Sequence, residues 1–137
     1  MINFVILVLV GGGLGAMLRE FVMLMVPNPM DGFPLDILVA NLVAAFLLGL
    51  VTALHGRRVL SDDVYVLLGA GIMGGMSTFS SFVYGSVVLM HTSIASAAVA
   101  TVYVVVSLVL GYCAIILGEK LGGQARRPVT AAAGGGQ

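Results

Sequence analysis

Four long apolar runs, at about 3–25, 35–54, 64–90 and 94–118, leave this chain few ways to fold. A helix needs about 20 mostly apolar residues to cross the hydrocarbon of a bilayer, and each run supplies them. Only 9% of the 137 residues are charged and 60% are apolar, whereas a soluble domain carries about 25% charged residues. The expected fold is an all-α membrane protein with four transmembrane helices, packed among membrane lipid. Residues 1–120 read as one transmembrane domain, and the Gly-rich stretch 121–137 as a disordered tail. No room is left for a soluble catalytic domain, so the chain is not expected to be an enzyme. Its formal net charge of zero gives no basis for nucleic-acid binding. A single cysteine, Cys113, allows no disulfide within the chain. The N-terminus lacks the basic flank of a signal peptide, so the first span is expected to be retained.

The third run is unlike the others. Its stretch 69–82 reads GAGIMGGMSTFSSF. Glycine is costly inside a helix, and Ser and Thr compete for backbone hydrogen bonds. The third helix is therefore expected to break near its middle, around Gly74, Gly75, Ser77, Thr78 and Ser80. Backbone groups freed in a bilayer must find partners in protein or in a polar cavity, so a break at this depth suggests a site. Its exposed carbonyls suit a cation, as in unwound transporter helices. Phe79 and Phe82 follow three apart, on one face if the helix resumes.

Other polar residues lie within the spans. Gly11 and Gly15 form a G-x-x-x-G pair that lets helices approach closely. Arg19, with Glu20 beside it, either faces a cavity or snorkels to the membrane surface. Asn41 must hydrogen-bond, either across a helix interface or along a polar path, where its amide N–H groups would suit an anion. Tyr103 and Ser107, at an i, i+4 spacing, share a face and either line that path or bond one another. Asp36 is placed at the start of the second helix and Ser61, Asp62 and Asp63 at the start of the third. His55 and His91 read as solvated residues at membrane edges. The stretch 27–34, with three prolines, reads as a loop.

Several chemistries are excluded. The sequence holds no Cys/His cluster with metal-ligand spacing and no credible Ser-His-Asp set. Glu20 is the one carboxylate inside a span away from its end, which argues against a proton-coupled pump. Lys and Arg sit in the second loop (Arg57, Arg58) and after the fourth span (Lys120, Arg126, Arg127), which places both termini in the cytoplasm.

The residues GGGLGAMLR at 11–19, Asn41 in ANL, and GIMGGMSTFSSF at 71–82 resemble the CrcB/Fluc family of small fluoride channels. The resemblance covers about 11–118. It implies a passive fluoride channel in an inner or plasma membrane, built as an antiparallel homodimer of dual topology with two pores lined by both copies. It places Asn41, Phe79, Phe82, Ser80, Ser81, Tyr103 and Ser107 along the fluoride pore and Arg19 at its vestibule. It also implies a structural sodium ion on the two-fold axis, held by backbone carbonyls of Gly74 and Ser77. Two positions depart from the family pattern: Gly85 stands where members often carry Glu, and Ile37 where some carry a hydroxyl. Dual topology also implies little Lys/Arg bias, against the orientation above. The alternative is a small proton-coupled multidrug-type exporter, for which Glu20 would have to serve. A third reading, a packing subunit that transports nothing, explains the glycines but not Asn41, the break or the paired rings.

Overall fold

The structure, a computed structural model, describes residues 2–27, 33–92 and 94–124. They form α1 (Ile2–Met25), α2 (Leu35–Gly56), α3 (Asp62–Tyr65), a π-helical stretch (Val66–Met73), α4 (Gly74–Met76), α5 (Phe79–Thr92) and α6 (Ile94–Gln124). Four helical segments are long and apolar enough to cross a membrane: Asn3–Met25, Leu35–Gly56, Asp62–Val87 and Ala97–Gln124.

Backbone contact holds these segments in two tight pairs. A Cβ added at Gly11 would stand 2.7 Å from the Leu67 carbonyl oxygen and 2.8 Å from the Gly71 Cα. One at Gly15 would run into the Ile72 carbonyl, and one at Gly75 into that of Gly12. The glycines of α1 and of the third span thus let the two backbones touch. Dispersion between close-packed backbones replaces the hydrophobic drive that lipid does not supply. The second pair is α2 with α6, where Gly49 lies against the Ile115 carbonyl and Gly118 against that of Phe46. Between them the small buried residues Ala40, Ala44 and Ala100 fill the interior. The outer faces of α1 and α6 present Phe4, Leu9, Phe21, Leu24, Val102, Leu108 and Leu117, as lipid-facing surfaces do.

The third span holds two irregularities. Over Val66–Met73 the helix widens, and the Gly74 N–H reaches the carbonyl of Gly69, five residues back. Such π turns are uncommon and concentrate at functional sites. Gly74 and Gly75 are themselves helical, contrary to the expectation that glycine opens the chain here. The helix ends instead at Ser77, whose backbone is extended (φ −73°, ψ 146°), and resumes at Phe79.

Two edge features differ from the sequence reading. His55 is not simply solvated: its Nε2 lies 2.9 Å from Asp62 Oδ1, and its ring stacks on Tyr65 at 4.2 Å. It thereby ties the end of α2 to the start of α3, where Ser61 accepts the Val64 N–H. The side chain of His91 lies outside what is described. α6 continues through Leu121–Gln124, which the sequence assigned to the tail, because Gly122 packs against Leu50 and Ala53 of α2. Residues 125–137 and 28–32 lie outside the described residues.

Candidate functional site

The site forms where the break in the third span meets α2 and α6. An extended residue in a transmembrane helix strands amides and carbonyls that would otherwise pair four residues apart. Here two side chains take up the stranded amides. The Thr78 N–H donates to Asn41 Oδ1 at 2.7 Å, and Asn41 Nδ2 donates back to the Thr78 carbonyl at 3.4 Å. Only the Asn41 oxygen can accept from a backbone N–H, so the orientation of the amide is fixed. The Ser81 N–H donates to Thr78 Oγ1 at 3.2 Å, which makes buried Thr78 the N-cap of α5. The Thr78 hydroxyl donates to Ser81 Oγ at 3.0 Å and lies 3.4 Å from Ser80 Oγ.

Asn41, Ser77, Thr78, Phe79, Phe82, Ser107 and Leu108 line a cavity of about 250 Å³. It lies at the N-terminal end of α5, where the helix dipole presents partial positive charge. One of the two Asn41 N–H groups is spent on Thr78, which leaves the other for the cavity. The rings of Phe79 and Phe82 stand 6.1 Å apart at 33°. Phe82 continues onto Tyr103 at 5.4 Å, and Tyr103 meets Phe33 edge-on at 5.4 Å.

Of the sequence-derived site residues, the cavity thus gathers Asn41, Phe79, Phe82, Ser107 and, through its wall at the break, Ser77. Ser80 and Ser81 lie in the first turn of α5 and bond to Thr78 rather than line the cavity. Tyr103 is fully buried behind Phe82, and its hydroxyl meets no hydrogen-bond partner among the described residues. The Tyr103–Ser107 spacing does not produce a bond between hydroxyls. Ser107 Oγ donates to the Tyr103 carbonyl in its own helix at 2.7 Å, a common back-bond of Ser in transmembrane helices. Arg19 lies on α1, paired with Glu20 at 3.4 Å and apart from the cavity lining. Gly74 is exposed on the protein surface next to the break.

Thr78 is the site residue that sequence reasoning missed as a structural group. Its signal was the Thr-x-x-Ser spacing just after a break, which is the geometry of an N-cap.

The family described as CrcB-like protein, Camphor Resistance (CrcB), matches residues 6–119. The protein named fluoride-specific ion channel FluC 2 of Brucella melitensis biotype 1 is 59% identical over 122 residues, covering 89% of this chain and 45% of that one. The one named FluC 3 of Yersinia pseudotuberculosis is 51% identical over 120 residues, with 88% and 89% covered. The FluC of Thermus thermophilus is 35% identical over 119 residues, with 86% and 94% covered. The chain therefore spans about half the length of its Brucella relatives and most of the length of the other two.

Proposed function

The chain belongs to the CrcB-like protein family, and on that premise we propose that it is a passive, fluoride-selective channel that lets fluoride leave the cytoplasm across the inner membrane. The carrying observation is the cavity at the break, which brings the Asn41 amide and the Phe79 and Phe82 rings to the amide end of a helix inside a span. Each of these groups suits a small anion. The amide offers an N–H, the helix N-terminus partial positive charge, and the phenyl rings their positive edges. None is a full cation, so the ion is held weakly enough to leave, as conduction needs. The relatives named as fluoride-specific channels direct the choice of anion.

In this reading two copies pair antiparallel, each inserted in the opposite orientation, and both line each pore. Phe79, at 78% exposure, then finds its surroundings at the partner. A sodium ion sits on the two-fold axis, held by the carbonyls of Gly74 and Ser77 from both copies. Those residues fit it: they lie at the carbonyl end of a broken helix, which carries partial negative charge. Arg19 stands at the vestibule, and Tyr103 and the hydroxyls of Ser80, Ser81 and Ser107 flank the path.

The exporter reading relies on Glu20, which pairs with Arg19 at 3.4 Å and lies apart from the cavity lining. Fluoride efflux from liposomes holding the purified full chain, with no pH gradient, tests the proposal. Efflux is expected, with chloride far slower. Equal chloride flux, or flux that requires a pH gradient, would overturn it.

A further inference from the structure

In an unbroken α-helix the Thr78 N–H would donate to the Gly74 carbonyl and the Ser81 N–H to that of Ser77. Neither does so here. Asn41 Oδ1 takes the first amide and Thr78 Oγ1 the second. Among the carbonyls at the break that lose their helical amides, those of Gly74 and Ser77 are the two whose amides are held by side chains. We propose that Asn41 and Thr78 are the positioning residues of a monovalent-cation site, their side-chain oxygens holding back the two amides that would otherwise close on its carbonyl ligands. The inference rests on the sodium reading above.

Three observations converge on it. First, carbonyls within a bilayer need a partner in protein, water or an ion. No backbone amide across the break supplies one to Gly74 or Ser77 among the described residues. Second, Gly74 and Ser77 are both exposed on the protomer, so this side of the break borders open surface rather than the interior. Third, Gly74 is a glycine that packing within the protomer does not require. A Cβ at Gly71 or Gly75 would collide with α1, whereas one at Gly74 would come no nearer than 3.9 Å to any atom, the Gly69 oxygen.

The arrangement also links the two ends of the break. Asn41 borders the cavity with its amide nitrogen, while its oxygen holds the Thr78 N–H away from Gly74. One side chain therefore serves the anion path with its donor and the cation site with its acceptor. The two roles separate by substitution. Asn41→Asp keeps an acceptor for the Thr78 N–H and removes the donor; Asn41→Leu removes both. Thr78→Ser keeps the hydroxyl, and Thr78→Val removes it at nearly constant shape.

The test is thermal unfolding of the full chain in detergent, in sodium chloride against N-methylglucamine chloride at equal ionic strength. A cation bound only by the folded protein raises the unfolding temperature with its concentration. The wild type, Asn41→Asp and Thr78→Ser are expected to show this sodium-dependent rise. Asn41→Leu and Thr78→Val are expected to need at least tenfold more sodium for the same rise. Retention of the full rise in both of the last two variants would overturn the inference and leave the sodium reading intact. Loss of it in Thr78→Ser would also overturn the inference. A wild type with no sodium response would overturn both. Should Asn41→Leu and Thr78→Val fail to fold, hydrogen exchange of the wild type decides. The Thr78 and Ser81 amides are expected to exchange slowly with or without sodium, because side chains hold them; protection that arises only with sodium would overturn the inference.

Discussion

Gly85 of α5 lies directly against Pro34: a Cβ at position 85 would meet the Pro34 Cγ at 3.2 Å and its Cβ at 3.5 Å. The ring that precedes α2 thus occupies the space into which a side chain at 85 would grow. Next to it, the Phe33 ring packs edge-on against Tyr103. The Phe33–Pro34 segment therefore closes the region behind Phe82, where the family resemblance would place an acid.

Restoring that acid should not help this chain. Gly85→Glu must displace a rigid proline ring and, in the proposed function, bury a carboxylate beside the anion path. An ionised side chain at the centre of a membrane helix costs about 2.5–3.5 kcal/mol on insertion scales. Efflux is expected to fall at least tenfold, with part of the protein lost from the folded peak on size exclusion. Gly85→Ala needs only a few tenths of an ångström from Pro34 and gains helix propensity, so it should keep normal efflux. Normal efflux from Gly85→Glu would show that Pro34 yields easily.

The glycine run of α1 yields a sharper contrast. A Cβ at Gly15 would strike the Ile72 carbonyl, while one at Gly13 meets nothing within 4 Å. Gly15→Ala should force α1 off the third span and cost about 1–3 kcal/mol, as overpacking does. Gly13→Ala should be neutral or stabilising by up to about 1 kcal/mol. Unfolding temperatures of the two purified variants check this; equal temperatures would mean that the backbones do not touch.

These cases mark what the sequence could and could not show. Apolar run length carries the four spans, since it reflects bilayer thickness directly. Asn41, Phe79, Phe82 and Ser107 stood out because each is conspicuous in type or spacing within a span. GGG in α1, by contrast, does not reveal which glycine faces the partner helix; that depends on the roll of α1 against the third span. The π-helical stretch has no local signature beyond its glycines. The Asn41–Thr78 pairing joins positions 37 residues apart, and the Gly85–Pro34 contact is likewise non-local. Gly75 misled because glycine in a membrane helix also signals close approach, here to Gly12 of α1.

Asn41 carries a prediction of its own. Asn41→Asp preserves size and the acceptor for the Thr78 N–H, so the break should hold and the protein should fold. It replaces the remaining N–H donor with negative charge at the cavity, which repels an anion. Fluoride efflux should fall by at least about two orders of magnitude, which needs only about 3 kcal/mol of added barrier. Normal efflux from a folded Asn41→Asp protein would reduce Asn41 to its contact with Thr78.

The two rings separate packing from passage, because they differ in burial. Phe79 is 78% exposed on the protomer, so little stability within it rests on the ring. Phe82 is half-buried and packs on Tyr103 at 5.4 Å, a contact worth about 0.5–1.5 kcal/mol beyond area burial. Phe→Met conserves volume and usually costs below about 1.5 kcal/mol. Phe79→Met should therefore leave the unfolding temperature of the protomer almost unchanged, and Phe82→Met should lower it by a few degrees. If the rings served only as packing, efflux would follow that order, with Phe79→Met near normal. If their positive edges flank the ion, both variants should lose efflux severely, because an aliphatic chain has no such edge. The rings stand 6.1 Å apart at the same cavity, so in that case they would act as successive contacts and each loss should be felt alone. Efflux from liposomes, beside unfolding temperatures and size-exclusion profiles of Phe79→Met, Phe82→Met and the double variant, measures this. Severe loss in Phe79→Met with an unchanged unfolding temperature and size-exclusion profile is the decisive result, since packing lost within the protomer or at the partner would show in those two measurements; near-normal efflux there would return both rings to the role of filling space.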